Sequence, residues 1–600
     1  MNANKCGGIL SILLAFTLLN SACGQAPGLD YVKEEQKVLK SLVLLNNEKF
    51  IVPIRNLETQ KIAHVYFGDK YATQFDSLLN KYSKVAAFNG SNYKPNFTKL
   101  NQDLKLFSTV IIQVNDGDLD NPLVLNFIKA TQPIKDVVVA YNGKEQGIIK
   151  LNDVTAPVIW ATEASQISAE ITAQAVFGGV AITNKLAANH SVRYRKGMGF
   201  LTEKTRLQYT VPESAGINAN NLKEIDDLAK EAIVQRGTPG LVVLVAKDGK
   251  VIFNKAYGSH TYDKTMPDKI DDIFDLASMT KISATTMETM QLVDQGKLNI
   301  ESTVGDYLPI TKNTSKADLK VRELLEHQAG LIADIPTVEA VRPADHSVDS
   351  SAAFPTKVNQ GYYLRKDYFK DVMWPTMINS PVRTRGQYVY SDLSMVFMQQ
   401  IDETLTAMPE NEYVQKNLYD PLGMQTAGFL PLYRFPVNRI PPTENDQKYR
   451  HALLDGYVHD PTAALMGGVA GHAGLFASAN DVAILFEMMR NRGSYGGVQY
   501  IKPETVDQFT AKQSNVSRRG LGFDRWDPMT SNHYPSQYAS SDTYGHTGFT
   551  GTCVWVDPKA GLVYVLLSNR VYPDVSSKFN SLSIRPRIQD VIYQAISKGL

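Results

Sequence analysis

The sequence predicts two domains of α/β and α+β class: an N-terminal α/β sandwich, then a domain with an antiparallel sheet flanked by helices plus a helical subdomain. Three observations support this prediction. The chain has 600 residues, too many for one ordinary core. Short apolar runs alternate with amphipathic segments in the first third. Beyond residue 216, strand patterns stand at both ends of a mostly helical stretch.

Four apolar runs between residues 36 and 200 have the length and β-branched content of buried strands, and three amphipathic segments between them have helical periodicity. This alternation predicts a largely parallel sheet covered by helices on both faces. The segment has no glycine-rich dinucleotide fingerprint and no phosphate loop, so nothing supports a nucleotide-binding role. The strands are KIAHVYFG, STVIIQVN, KDVVVAYNG and APVIWATE, and the helices YATQFDSLLNKY, NPLVLNFIKATQ and ISAEITAQAVFGG.

A second domain is predicted from 216 to 600, after a linker at 201–215 that lacks periodicity and carries a proline near its end. The segment 218–237 places its apolar residues on one helical face. Asp248-Gly249 separates two apolar strands and is a strong hairpin signal. A later hairpin, GTCVWVDPKAGLVYVLLSN, predicts that one sheet is closed by segments distant in sequence.

The composition is that of a globular protein, with 43% hydrophobic and 20% charged residues and a net charge of +1. This balance gives no reason to expect a nucleic acid partner. The chain has three cysteines, at Cys6, Cys23 and Cys553. No paired histidine or cysteine spacing typical of a metal centre occurs, so neither a metal nor a cofactor is predicted. Cys553 is predicted to be a buried strand residue.

Residues 1–22 have the layout of a secretory signal: one cation at Lys5, an apolar run, then small residues. The SAC sequence ending at Cys23 resembles the lipobox of bacterial lipoproteins, although Asn20 stands where leucine is usual. The resemblance implies lipidation of Cys23 and a membrane-anchored protein of the cell envelope, in the periplasm or at the cell surface. Secretion without a lipid anchor is the alternative.

Ser278 and Lys281 stand three residues apart where a helix is predicted to begin, with Asp275 as its expected N-cap. One turn brings the lysine amine to the face that carries the serine hydroxyl. A serine hydroxyl is a nucleophile only when a base accepts its proton. A chain of this length also contains such pairs by chance, so the pair alone does not establish an active site.

The span from 216 to 600 resembles the serine β-lactamase and penicillin-binding protein superfamily, in its class C, D,D-peptidase and esterase branch. Three motifs in the order of that family carry the resemblance: Ser278 to Lys281, Tyr390-Ser391-Asp392, and His546-Thr547-Gly548. His472 in GHAG also matches the third motif. His546 is preferred because a strand pattern follows it, whereas a helical pattern follows His472.

The resemblance implies a serine hydrolase that forms an acyl-enzyme on Ser278, with Lys281 and Tyr390 sharing the proton transfer. The backbone N–H groups of Ser278 and Phe549 would form the oxyanion hole. Thr547 would belong to the substrate-binding strand, and His546 would bind a substrate carboxylate or support Tyr390. Gly548 would leave room for a substrate backbone.

Asp392 and His546 depart from the pattern of the family. Its second motif usually ends in asparagine, which can donate a hydrogen bond to a carbonyl, whereas ionised Asp392 can only accept. Asp392 could instead hold Lys281 as an ion pair and raise its pKa. The third motif often begins with lysine, and here it begins with His546, as in some D,D-peptidases and esterases. The expected partner is a small peptide, ester or β-lactam-like molecule of cell-wall origin.

Residues 30–200 resemble the C-terminal α/β domain of glycoside hydrolase family 3, in VLKSLVLLNNEKFIVPI and in AEITAQAVFGGVAITNKL followed by YRKGMGF. In that family the nucleophilic aspartate comes from a preceding barrel, which this sequence lacks. A scaffold or binding role is therefore expected, and hexosaminide hydrolysis is the weaker alternative. A further alternative is a cell-envelope binding protein that has lost turnover because of Asp392.

Overall fold

The computed structural model describes residues 28–68, 70–93 and 96–600. The predicted signal at 1–22 and the lipidation site Cys23 lie outside the described residues. Among the helices that are described, none combines the length and the apolar character needed to cross a bilayer.

The N-terminal domain is built on a six-stranded sheet in the order β1-β6-β5-β4-β2-β3. Strands β2 to β6 pair in parallel, and β1 is antiparallel to β6. Parallel strands that alternate with helices were predicted for this segment, and this prediction is confirmed. The strands are β1 (Val43–Leu45), β2 (Ile62–Tyr66), β3 (Val85–Asn89), β4 (Thr109–Val114), β5 (Asp136–Asn142) and β6 (Val158–Ala161).

Both faces of this sheet are covered, because successive side chains of a strand point to opposite faces. On β4, Val110 and Ile112 enter one apolar cluster, and Ile111 enters the other. Two separate cores of this kind make the α/β sandwich. The longer helices are α1 (Leu29–Ser41), α2 (Ala72–Leu79), α3 (Pro122–Thr131) and α4 (Gln166–Val176), and shorter ones span Thr98–Asp103, Asp116–Leu119 and Glu145–Lys150.

The C-terminal domain contains a seven-stranded sheet in the order β13-β14-β15-β16-β8-β9-β7 and a small three-stranded sheet in the order β10-β12-β11. Asp248 and Gly249 have φ of 51° and 72°, as the predicted two-residue hairpin requires. The strands are β7 (Gln208–Tyr209), β8 (Gly240–Lys247), β9 (Lys250–Gly258), β10 (Phe274–Asp275), β11 (Gly428–Phe429), β12 (Leu475–Ala477), β13 (Asp524–Arg525), β14 (Tyr544–Thr547), β15 (Cys553–Asp557) and β16 (Leu562–Ser568).

Helices cover both faces of the large sheet, and a helical insert lies between β10 and β13. The antiparallel sheet with a helical subdomain is confirmed, and Cys553 is fully buried on β15. The longer helices are α5 (Glu224–Val234), α6 (Thr286–Asp294), α7 (Asp392–Thr406), α8 (Ala479–Arg490), α9 (Pro503–Thr510) and α10 (Ile584–Lys598). Shorter helices and hairpins include Val304–Tyr307, Val321–Leu325, Trp374–Asn379, Glu410–Val414, Pro461–Leu465, Thr356–Asn359 with Tyr362–Leu364, and Ser494–Tyr495 with Val498–Gln499.

The predicted linker at 201–215 is more ordered than its sequence indicated. Its residues Gln208 and Tyr209 form β7, which pairs in parallel with β9. Arg206 is buried and donates to the backbone oxygens of Ile54 and Phe177 in the first domain. A two-residue strand has no periodicity of its own, so the sequence pattern could not reveal it.

Candidate active site

Ser278 follows a tight turn that joins β10 to a helical segment. Strand β10 ends at Asp275, and Ala277 has a φ of 47°, a left-handed conformation that costs energy for alanine. Ser278 lies in the 3₁₀ turn Ala277–Met279, a π-helical turn spans Lys281–Thr285, and α6 follows. The strained turn therefore presents the partly exposed hydroxyl of Ser278 at the end of a strand.

Asp275 does not cap the helix as predicted. Its Oδ1 accepts the N–H of Ala277 at 2.8 Å, and its Oδ2 accepts the N–H of His459 at 2.7 Å. The left-handed Ala277 turns the chain before the helix begins, so the carboxylate meets the turn rather than the helix N-terminus. Burial raises the pKa of Asp275, although the two N–H groups lower it. The carboxylate fixes the turn and ties it to the loop of His459.

Lys281 Nζ lies among three oxygen atoms. It donates to Ser278 Oγ at 2.9 Å and to the backbone oxygen of His472 at 3.0 Å, and it is 2.6 Å from Asp392 Oδ1. Ser278 Oγ and the His472 carbonyl accept hydrogen bonds from the amine, and Asp392 is its ion-pair partner. The Lys281 side chain is fully buried. The amine therefore reaches Ser278 as a hydrogen-bond donor.

The pKa of Lys281 is raised above its ordinary value. Burial alone would lower the pKa, because it penalises the charged form. The Asp392 carboxylate and then the Tyr390 phenol outweigh burial. The ion pair that the sequence left as one alternative for Asp392 is present, and it keeps Lys281 charged at neutral pH.

Tyr390 lies between two cations. The centroid of its ring is 5.1 Å from Lys281 Nζ and 5.3 Å from Arg519 Cζ. The rings of His327 and His546 lie 4.7 and 6.1 Å from it. Negative charge on the phenol oxygen would be stabilised by both cations.

Both ring nitrogens of His546 are engaged. Its Nδ1 donates to the backbone oxygen of Thr547 at 2.7 Å, so its Nε2 is left to accept from Arg519 Nη1 at 3.0 Å. Burial, followed by the charges of Arg519 and Lys281, lowers the pKa of His546 to about 3. The imidazole is neutral, and this arrangement favours the support of Tyr390 over the binding of a substrate carboxylate.

Gly548 lies where β14 turns back toward the nucleophile. A Cβ atom on Gly548 would overlap with Thr552 Oγ1 and with the backbone oxygen of Leu276. The glycine is needed by the close approach of two backbone segments of this chain, whereas its role toward a substrate stays a prediction. Phe549, which follows, is 47% exposed, and its N–H has no hydrogen-bond acceptor among the described residues. Its ring stacks on His459 at 5.4 Å.

Three residues around the site had no predicted role. Arg519 donates to Tyr388 and contacts His546, and His327 Nδ1 accepts the N–H of Ser391. His472, the rejected match to the third motif, contacts Lys281 through its backbone oxygen, and its ring pairs with Asp460 at 2.8 Å. Arg519 and His327 belong to none of the three motifs, so no sequence signal marked them. His472 was noticed only as a match to the third motif, and a contact through a backbone oxygen leaves no sequence signal.

A family model described as "Beta-lactamase" matches residues 225–586, more than half of the chain. The chain belongs to the beta-lactamase family. The resemblance stated from the three motifs is confirmed, and the chain is a serine hydrolase of the β-lactamase and penicillin-binding protein type. The match begins after the N-terminal domain, whose relation to glycoside hydrolase family 3 stays a prediction.

Two curated relatives are similar to this chain in sequence, and one solved structure aligns with part of it. An "N-acetylmuramyl-L-alanine amidase" of Bacillus subtilis is 33% identical over 388 residues, 60% of this chain and 84% of the relative. A "Putative D-alanyl-D-alanine carboxypeptidase" of Escherichia coli O157:H7 is 31% identical over 390 residues, 61% and 86% of the two chains. The structure of the hydrolase EstCE1 aligns with a TM-score of 0.47 and 20% identity over 63% of this chain and 98% of its own.

Proposed function

We propose that this protein is an exported serine hydrolase that cleaves amide bonds of cell-wall-derived peptides through an acyl-enzyme on Ser278. One observation carries the proposal: the buried Lys281 ammonium donates to Ser278 Oγ at 2.9 Å while it also donates to the His472 carbonyl and forms an ion pair with Asp392 Oδ1 at 2.6 Å. A fixed donor at the nucleophile stabilises the negative charge that Oγ carries as it attacks.

Tyr390 is the proposed base, because the Lys281 ammonium has no lone pair to accept a proton. As Oγ bonds to the substrate carbonyl carbon, the hydroxyl proton passes to the side-chain oxygen of Tyr390, which the proposal requires to be deprotonated. The same proton then moves to the leaving amine, the carbon–nitrogen bond breaks, and the acyl group stays on Ser278. Water releases it by the reverse sequence. Lys281 and Arg519 offset the charge of the phenolate.

The names of two relatives support this substrate class. The amidase and the carboxypeptidase names both denote hydrolysis of an amide bond in cell-wall peptides.

Export, and anchoring through lipid on Cys23, would place the enzyme beside such substrates. In cells, Cys23→Ser should move the protein from the membrane fraction to the soluble fraction, and Cys6→Ser should leave it in place. Equal membrane retention of both variants would contradict the anchor.

A fluorophosphonate probe tests the nucleophile. It should add to purified wild-type protein at Ser278, as mass spectrometry of peptides identifies, and it should not add to Ser278→Ala. Ser283→Ala is a matched control, because this buried hydroxyl lies one turn further on and has no partner among the described residues. Labelling of Ser278→Ala at the wild-type rate would contradict the assignment.

The same pair of proteins distinguishes between the candidate substrates. A D-alanyl-D-alanine peptide, a muramyl-L-alanine peptide, a p-nitrophenyl ester and a chromogenic β-lactam are incubated with wild type and Ser278→Ala. Loss of turnover in the variant supports the hydrolase. A folded wild type that neither reacts with the probe nor turns over any of the four would instead support a binding protein. Cleavage of a chromogenic hexosaminide that survives Ser278→Ala would assign activity to the N-terminal domain.

A further inference from the structure

Three potential metal ligands meet in the loop that joins β9 to β10. His260 Nε2 is 3.0 Å from Asp272 Oδ2 and 4.0 Å from Asp268 Oδ1. One ligand atom from each residue lies within 4.8 Å of the other two. Ligands of one octahedral ion at about 2.1 Å are about 3.0 Å apart when adjacent and farther apart otherwise. The spacing therefore suits one shared cation.

Of the four carboxylate oxygens of this cluster, only Asp272 Oδ2 has hydrogen-bond partners among the described residues: the Lys269 N–H at 2.6 Å and His260 Nε2. The side chains of Asp268, Asp272 and His260 are 0%, 1% and 6% exposed. Neither oxygen of Asp268 has a hydrogen-bond partner within the described chain. Asp272 Oδ1 also lacks one among the described residues. An unpaired buried carboxylate is costly, and buried charges are almost always paired or bound to a metal.

Nothing else in the described chain supplies the missing charge. Asp268 and Asp272 form ion pairs only with His260 among the described residues, and no lysine or arginine reaches them. Asp455 adds a further carboxylate without a balancing positive charge. Its buried Oδ1 has no hydrogen-bond partner among the described residues, and its carboxylate is close enough to His260 to interact with that ring. A singly charged imidazolium cannot balance these groups.

We propose that His260, Asp268 and Asp272 bind a divalent transition-metal ion, with Zn²⁺ or Mn²⁺ as its class. One imidazole nitrogen and two carboxylates form a ligand set for these ions, whereas Ca²⁺ and Mg²⁺ prefer oxygen ligands throughout. Binding replaces the His260–Asp272 contact and requires neutral His260. Protonation of Asp268 is the competing solution, since burial raises its pKa to about 7.

The neighbouring strand leaves room for this cluster. A Cβ atom on Gly240, at the start of β8, would overlap with Asp268 Oδ2. The cluster lies just before β10 and Ser278 in the chain. A bound ion would join two points of the loop, Asp268 and Asp272, to His260 after β9, and so would fix the segment that leads to the nucleophile. The sequence predicts no metal here, because the seven- and three-residue gaps match no short metal motif.

Metal binding is tested on the untagged full chain. The protein is stripped with a chelator, dialysed, and titrated by calorimetry with Zn²⁺, Mn²⁺, Ca²⁺ and Mg²⁺ separately, and bound metal is counted by mass spectrometry. We expect one equivalent of Zn²⁺ or Mn²⁺, weaker Ca²⁺ and Mg²⁺ binding, and a higher thermal unfolding midpoint in the loaded protein. These readouts do not use activity, so they stand apart from the proposed hydrolase.

Asp268→Asn and His260→Gln should each weaken binding by at least about tenfold and abolish the rise in midpoint. Asp268→Asn removes an unpaired charge without changing its shape, so it should fold. His190→Gln is the matched control, because His190 pairs with Glu145 at 3.4 Å in the other domain and its loss should leave binding unchanged. Failure of the wild type to bind either ion, or wild-type affinity in both variants, would overturn the proposal.

Discussion

Asp392 Oδ1 lies 2.6 Å from Lys281 Nζ, so the residue that departs from the usual asparagine of the family is the counter-ion of the candidate catalytic lysine. The substitution changes what the lysine does. With an asparagine at this position, burial would lower the pKa of Lys281 and favour the neutral amine. With Asp392, the pKa is raised, and Lys281 keeps its proton and acts as a hydrogen-bond donor.

Asp392→Asn should lower the pKa of Lys281, because it removes the charge that raises the pKa and leaves burial, which lowers it. In the wild type the donor form persists to alkaline pH, since its pKa lies above the ordinary value. In the variant, the rate of fluorophosphonate labelling should fall at a lower pH than in the wild type. Asp153→Asn, which alters an exposed pair with Lys129, is the control. Superimposable pH profiles would refute the donor role.

Arg519→Met should raise the pKa of His546, because one of the causes that lower it is removed while burial stays. In the wild type His546 is neutral above about pH 4, so the labelling rate should show no histidine titration between pH 5 and 8. In the variant the acid limb of the labelling profile should lie at a higher pH than in the wild type. Arg519→Lys keeps the charge and should retain the flat profile. A flat profile in Arg519→Met would show that His546 does not influence the reaction.

Gly548→Ala should reduce both stability and labelling. The added methyl group overlaps with Thr552 and with the Leu276 carbonyl next to the nucleophile turn, and overpacking of this kind costs about 1 to 3 kcal/mol. Urea denaturation measures the first effect, and the probe measures the second. Gly68→Ala is a suitable control, because the nearest atom to a Cβ there is 3.9 Å away. A variant as stable and reactive as the wild type would contradict the close approach.

Glu410 should make the protein less stable as the pH rises. Burial raises its pKa to about 8, from an ordinary value of 4.5. Its Oε1 is 2.5 Å from Thr285 Oγ1, which also lies 2.6 Å from the Gly471 oxygen. Because one hydroxyl carries one hydrogen, a protonated Glu410 that donates to Thr285 satisfies both contacts.

A raised carboxyl pKa stabilises the fold fully below the unfolded pKa, and this stabilisation is lost as the pH rises through the folded value. The free energy of unfolding should therefore fall by a few kcal/mol between about pH 5 and pH 8. Buried Glu288 and Asp402, whose pKa values burial also raises, add to the trend. Glu410→Gln should make the free energy of unfolding depend less steeply on pH over this range. A slope equal to that of the wild type would exclude Glu410 as a contributor.

The sequence predicted the fold where periodicity is strong. The parallel strands, the Asp248-Gly249 hairpin and the sheet closed by distant segments all follow from local patterns that tertiary packing does not override. The two-residue strand β7 and the left-handed Ala277 were not predicted, because both are set by contacts that no local pattern encodes.

The candidate site was predicted in part. Ser278, Lys281, Tyr390 and His546 were found through ordered motifs, and they are linked by contacts from Ser278 to Lys281, from Lys281 to the Tyr390 ring and from that ring to His546. The roles of Arg519 and of the His472 carbonyl were missed, because any residue supplies a carbonyl and an arginine far along the chain has no fixed spacing. The structure also decided between the two alternatives for Asp392 in favour of the ion pair with Lys281. A sequence does not show which cation lies next to a carboxylate.

The position of β8 has a consequence for biosynthesis. Strand β8 pairs on one side with β9, its immediate neighbour in the chain, and on the other with β16, which ends at Ser568. When a nascent chain has emerged from the ribosome as far as β13, it already contains the Ser278 turn. It still lacks β14, and the edge of β8 that pairs with β16 has no partner strand. The nucleophile is thus synthesised long before strand β14, which carries His546, and hydrolytic competence arrives only with the last strands of the chain.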